Sequence, residues 1–127
     1  MKVVAFNSSP MMGKGNTARI LDPFLEGMKA AGAEVRLFYT KKLRILPCQG
    51  DFDCWVRHPG KCFQDDEMVE LLPILREADI WVFATPVFVD GVTGTLKVLM
   101  DRMIPLIEPF VEMLENHCRH PRRNETK

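Results

Sequence analysis

The sequence lacks any apolar run of the roughly 18 to 20 residues that a membrane span requires, so no segment reads as a transmembrane helix. Net charge is also missing. The 17 Lys and Arg equal the 17 Asp and Glu, leaving no long-range field to draw in nucleic acid or anionic lipid. The opening "MKVVAFNSSP" turns polar too soon after its short apolar part to be a secretory leader. The chain is therefore expected in the cytoplasm, with its 4 cysteines as reduced thiols or metal ligands rather than disulfides. Neither a Walker A pattern nor a Gly-x-Gly-x-x-Gly pattern occurs, which disfavours nucleoside triphosphates and the usual dinucleotide fold. Internal repeats and low-complexity segments are absent too. What remains is 127 residues with 46% apolar and 27% charged content, expected to form one soluble domain, 1–127, with a real core.

"KVVAF" (2–6) is a β-branched and aromatic run that stops at Asn-Ser-Ser-Pro, as a buried strand opening into a loop would. From Thr17, apolar residues recur at helical spacing through Ile20, Leu21, Phe24, Leu25 and Met28, with a stop near Gly32. Pro23 falls early in this helix, tolerable if the first turn is loose. "EVRLFYT" (34–40) is a second strand, and "DDEMVELLPILREA" (65–78) a second helix with acids in its first turn. "DIWVFATP" (79–86) is nearly continuous apolar, as expected of a strand buried on both faces. The stretch 94–115 reads as a third helix interrupted near Pro105 and Pro109, and 116–127 as a loose polar tail.

Alternating strands and helices predict an α/β fold, a doubly wound parallel sheet in the order 2-1-3 with helices on both faces. Such sheets usually have about five or six strands, so three imply an incomplete sheet or completion by another copy. Met100, Met103, Ile104, Ile107, Phe110, Val111, Met113 and Leu114 also cover more of the third helix than one core-facing stripe needs, pointing to a homo-oligomer.

Ligands of doubly wound sheets bind beyond the strand carboxyl ends, where strand order reverses. The two loops there are "NSSPMMGKGNT" (7–17) and "TPVFVDGVTGTLK" (85–97). Glycines in the first let backbone amides turn inward, Ser9, Asn16 and Thr17 add polar groups, and a helix N-terminus follows. That suits a phosphate, although Asn16 or Thr17 could equally be a plain helix cap. The second loop sets Val87, Phe88 and Val89 beside free backbone groups. It could flank a flat heteroaromatic ring, or simply pack under the next helix.

Together these motifs resemble the NADPH-dependent FMN reductase and iron–sulfur flavoprotein group of flavodoxin-like proteins. That group carries a Ser-Pro-Arg…Gly-Asn-Thr loop, matched by Ser9, Pro10, Gly15, Asn16 and Thr17. Its Ser/Thr-Pro-Val-Tyr…Leu-Lys…Asp-Arg stretch is matched by Thr85 to Phe88, Leu96, Lys97, Asp101 and Arg102. The resemblance implies FMN, with phosphate held by Ser9, Met11, Gly15, Asn16 and Thr17. It places the ring against Pro86, Val87, Phe88 and Val89, with Asp90 and Gly91 close by. It also implies NAD(P)H as electron donor, transfer to a quinone, flavin or redox partner, and no protein acid or base in the hydride step. A non-catalytic electron carrier and an inactive fragment are the alternatives. Met11 stands where the group often has Arg, Phe88 where it has Tyr, and the sheet stops at strand three. Weaker FMN binding, or folding only by association, is expected from these departures.

Three of the four cysteines lie in "PCQGDFDCWVRHPGKCFQDD" (47–66). Iron–sulfur members of the group carry a compact four-cysteine motif here, which this chain meets with Cys48, Asp51, Cys54 and Cys62. A [4Fe–4S] cluster wants four thiolates, and the Asp51 carboxylate is a hard, weaker ligand for it. Zinc on the three cysteines and His58 lacks the Cys-x-x-Cys knuckle. The favoured reading is small, buried thiols in a loop that, with Phe52 and Trp55, walls the flavin or a neighbour's flavin. Cys118 with His117 and His120 lies in the expected tail.

Overall fold

The computed structural model describes residues 1–123. Strands β1 (Lys2–Asn7), β2 (Glu34–Tyr39) and β3 (Ile80–Ala84) form one parallel sheet in the order β2-β1-β3. The doubly wound 2-1-3 order expected from the sequence is therefore present. β1 is central, and Val3 to Asn7 are all at most 2% exposed. Its side chains alternate between two cores, as the two-residue period of a strand demands. Val4 and Phe6 face one core, and Ala5 faces the other. Phe6 stacks between Phe38 and Phe83, its register partners on either side, with centroids 5.6 and 5.8 Å away.

Helix α1 (Asn16–Ala30) covers the Ala5 face with Leu21 and Leu25. Between β2 and β3 come a single turn, α2 (Asp53–Val56), and the longer α3 (Met68–Glu77). α3 and α4 (Gly94–Asp101) cover the Phe6 face with Met68, Leu71, Leu72, Leu75, Leu96 and Leu99. Helices on opposite faces follow from reversing strand order between two right-handed crossovers. Pro23 lies in mid-helix rather than in a loose first turn, so α1 lacks the N–H that would reach the Arg19 carbonyl.

Three expectations are corrected. β3 is not buried on both faces. Ile80 is 37% exposed and the rest of the strand half-buried, because among the described residues β3 pairs with β1 alone. The third helix ends at Asp101 instead of running to residue 115. Pro105 opens a 3₁₀ turn at Ile104–Leu106, and the chain beyond makes a small antiparallel pair, β4 (Glu112–Met113) with β5 (Cys118–Arg119). The apolar face inferred on a continuous helix is thus broken up. Residues 116–123, expected as a loose tail, fold back instead. Glu108 N–H donates to Pro121 O and Arg123 N–H to Leu106 O, 2.9 and 2.8 Å apart. Residues 124–127 of that expected tail lie outside the described residues.

The long β2–α3 connection is held by one buried ion pair. Arg102, directly after α4, reaches Asp66 with both terminal nitrogens, at 2.6 and 3.1 Å, with the two side chains 1% and 5% exposed. Burial pushes the Asp66 carboxyl up, but Arg102 and the Leu46 and Met68 amides outweigh it and hold the group below its ordinary value. A carboxylate depressed in the folded state adds stability above its unfolded pKa, about 3.9, and loses it as pH falls through the folded value. Stability should therefore be flat from about pH 5 to 7 in this respect and fall below about pH 4. Asp66→Asn should cost about 3–5 kcal/mol by stranding the buried guanidinium and should flatten the acid slope. Denaturant titrations across pH check both effects.

Candidate cofactor site

β1 ends at Asn7, whose fully buried amide shapes the loop that follows. Its Oδ1 accepts the Ser9 N–H at 2.9 Å and its Nδ2 donates to Met12 O at 3.4 Å. Such a local side-chain bond turns the chain sharply. Ser8 then ties this loop to the end of β3. Both its N–H and its hydroxyl donate to Ala84 O, at 2.8 and 3.1 Å. The two loops singled out in the sequence are joined at this point.

The first loop passes through a 3₁₀ turn, Met12–Lys14, with Met12 at φ 49°, and enters α1 through Gly15. A Cβ on Gly15 would lie 2.9 Å from Ser9 Oγ and 3.0 Å from Met11 Cβ, so only glycine fits. Ser9 Oγ accepts the Met11 N–H at 3.2 Å and keeps its own hydrogen to donate. The first-turn amides of α1, including those of Asn16 and Thr17, have no acceptor within the helix, as at any helix N-terminus. From the 3₁₀ turn after β2 (Thr40–Lys42), Lys41 Nζ reaches Pro10 O at 3.0 Å and brings a cation to the loop.

In the second loop Thr85 Oγ1 accepts the Thr93 N–H at 3.2 Å and donates to Pro86 O at 2.8 Å. Thr93 caps α4 by accepting from Leu96 N–H, and Thr95 Oγ1 lies 2.9 Å from Thr40 Oγ1. Between Pro86 and Thr93 the chain makes a tight turn. Phe88 and Gly91 exchange backbone hydrogen bonds of 2.8 and 3.1 Å, with Val89 at φ 46° and Asp90 at φ 59°. Asp tolerates that region, but for a β-branched residue it is a strained outlier. Val89 is fully exposed at the tip, beside Val87 at 75% and Phe88 at 50%. An apolar, strained and uncovered turn is built to be covered.

Asn16, Thr17, Pro86 and Val87 line one groove of about 600 Å³ with Ile20, Leu21 and Phe24 of α1 and the chain from Val82 to Thr85. That size falls within the roughly 300–1,000 Å³ of small-molecule sites. Four of the eleven residues expected to hold the cofactor thus share a wall. Ser9 and Gly15 shape the loop behind it, and Phe88 to Gly91 form a turn at its margin. Met11 offers no amide to a phosphate, since Ser9 Oγ takes its N–H, and its side chain is 62% exposed. Asn7, Ser8 and Lys41 were not singled out in the sequence. A polar pair directly after a buried strand was the available signal for the first two.

The cysteine segment lies apart from this groove. Phe52 and Trp55, expected to wall the flavin, stack on each other with centroids 5.2 Å apart, and Trp55 also meets His120 at 5.4 Å with the ring planes tilted by 36°. The Trp55 indole N–H donates to Ile104 O and Ile107 O, at 3.2 and 3.0 Å, carbonyls exposed by the 3₁₀ turn at Pro105. Burial, then Cys62, Cys48 and Asp51 nearby, push the Cys54 thiol up. Asp51 Oδ1 accepts the Asp53 N–H at 2.7 Å, and His58 Nδ1 is 2.6 Å from Asp53 Oδ2. Among the described residues no group of three or more His, Cys, Asp or Glu side chains could hold a metal ion.

A three-stranded parallel sheet in the order 2-1-3, with residues of both switch-point loops on one groove, is a flavodoxin-like arrangement. Residues 1–116 match the family model "NADPH-dependent FMN reductase", and the chain belongs to that family. It is 36% identical over 102 residues to an iron–sulfur flavoprotein of Archaeoglobus fulgidus, covering 80% of this chain and 48% of the relative. An iron–sulfur flavoprotein of Methanocaldococcus jannaschii is 34% identical over 106 residues, with 84% and 53% covered. A solved flavone reductase superposes with a TM-score of 0.59 at 30% identity, over 84% of this chain and 31% of the other. The chain spans about half the length of the curated relatives it matches.

Gly15→Ala should cost about 1–3 kcal/mol of stability through its forced contacts, read by thermal or denaturant unfolding. Val89→Gly should do the opposite and stabilise by about 1 kcal/mol, because glycine relieves the positive φ.

Proposed function

We propose that this chain binds FMN and acts as an NAD(P)H-dependent reductase that passes electrons to a quinone, a flavin or a redox partner. The junction of Ser8 with Ala84 carries this reading, because it closes a phosphate-type loop and an apolar loop onto one groove. The Ser9 hydroxyl and the first-turn amides of α1, with Asn16 and Thr17, would hold the phosphate. Lys41 would supply the positive charge that Met11 does not. Pro86, Val87 and the Phe88–Gly91 turn would flank the ring, and bound FMN would bring two-electron hydride chemistry. The chain's own residues then bind, orient and exclude water, and no side chain is assigned as a catalytic acid or base.

A second reading, a flavin-binding electron carrier, is favoured by one observation. The groove runs open along the uncovered edge of β3, leaving a bound ring accessible to a partner. A cytoplasmic setting belongs to the same proposal and rests on four unpaired thiols.

Self-association is part of it as well. The outer edge of the sheet at β2 carries Glu34 and Arg36, exposed charges of the kind that guard an edge strand. β3, "IWVFA", carries none, and Ile20 and Phe24 beside it are 76% and 53% exposed. A second copy seated on this edge would cover them.

FMN should bind the purified chain with Kd at or below tens of micromolar, about 6–7 kcal/mol, and quench its own fluorescence. No binding in that range contradicts the proposal. NADPH or NADH oxidation with an artificial acceptor should then depend on added FMN. Binding without such oxidation selects the carrier. Lys41→Met should weaken FMN several-fold while leaving the unfolding midpoint almost unchanged. By light scattering the chain should be a dimer or larger at micromolar concentration, and a strict monomer contradicts the role of β3.

A further inference from the structure

In the segment from Cys48 to Cys62, the Cys62 sulfur already accepts a hydrogen bond and the Asp51 carboxylate already holds a backbone amide. Arg102 is 1% exposed, a buried guanidinium at the end of α4. Its Nη1 donates to Asp66 Oδ2 at 2.6 Å and to Leu46 O at 2.7 Å. Its Nη2 donates to Asp66 Oδ1 at 3.1 Å and to Cys62 Sγ at 3.4 Å. Asp66 is saturated in turn, for its two oxygens also accept the Leu46 and Met68 amides at 2.8 and 3.0 Å. The two ends of the cysteine segment, Leu46 and Cys62 with Asp66, therefore meet at one guanidinium.

Other contacts fix the middle. Trp55 is bonded to two carbonyls of the turn at Pro105, Gly60 O accepts from Arg76 at 3.1 Å, and Gln64 Nε2 donates to Pro47 O at 3.3 Å. Asp51 Oδ1 accepts the Asp53 N–H at 2.7 Å, at the start of α2.

We propose that the cysteine segment is a metal-free clasp: the Arg102–Asp66 pair draws its ends together, and the Cys62 sulfur serves as a hydrogen-bond acceptor instead of an iron or zinc ligand. Two facts of chemistry support this. A cubane site takes four soft thiolates, and this chain offers three with a hard carboxylate that is already engaged. A buried arginine whose two terminal nitrogens donate to a carboxylate, a carbonyl and a sulfur orders the segment without a metal. The clasp fixes α4, whose other end is the Thr93 cap of the flavin-side loop. It stands whether or not the chain binds FMN.

The test is anaerobic reconstitution of the flavin-free full chain with ferrous iron and sulfide, and separately with zinc, followed by desalting and metal analysis. Metal should remain far below one per chain, with no broad absorbance near 400 nm. Retention of about four irons with matching sulfide, or of about one zinc, overturns the proposal. Alkylation mapped by mass spectrometry supplies a second readout that needs no metal. Half-buried Cys62, held in the clasp, should react several-fold more slowly than exposed Cys48 in the native chain, because access to its sulfur is restricted. Arg102→Met should bring the Cys62 rate close to that of Cys48, and Arg102→Lys should restore part of the difference. Equal rates for the two thiols in the unaltered chain would also overturn it.

Discussion

Everything in this molecule hangs on β1 being paired on both sides. A strand with two parallel neighbours must send its successor chains across opposite faces, because each crossover is right-handed. That places α1 on one face, and α3 and α4 on the other. It also leaves the loops after β1 and β3 side by side at the same end of the sheet, and Ser8 fastens them together through Ala84. The binding groove is a consequence of strand order before it is a consequence of any single side chain.

Two devices keep that end of the molecule in shape. Near the groove, the hydroxyls of Thr40, Thr85, Thr93 and Thr95 lock the loop after β3 to the sheet and to the start of α4. At the far end of α4, Arg102 anchors the same helix to the cysteine segment. Breaking a buried pair by removing one partner is costly because the survivor is left charged in a poor solvent. The clasp is therefore a point where a distant change reaches the loop that faces the groove. The strain at Val89 is held in place by this surrounding rigidity.

Much of the fold was legible in the sequence, for physical reasons. β1 is a pure apolar run ended by polar turn residues, and α1 shows a clean helical period, so both elements and the two switch-point loops could be placed. Asn16, Thr17, Pro86 and Val87 line one groove. Other features depend on distant parts of the chain and leave no local signal. Asn7 and Ser8 act through partners, and the Lys41 contact bridges 31 positions. Helical spacing persisted past Asp101, yet Pro105, the Pro121 carbonyl and the Arg123 N–H won over it. Likewise the "IWVFA" run read as doubly buried because composition cannot tell a central strand from an edge whose neighbour is absent.

The central claim is that the loop from Ser9 to Thr17 receives a phosphate while Pro86 to Val89 receive a ring. Parallel titrations with FMN and with riboflavin, which lacks the phosphate, test it most directly. The account predicts that FMN binds at least about tenfold more tightly, a difference of about 1.4 kcal/mol, and that the advantage shrinks as salt rises. Equal affinity for the two flavins would contradict it.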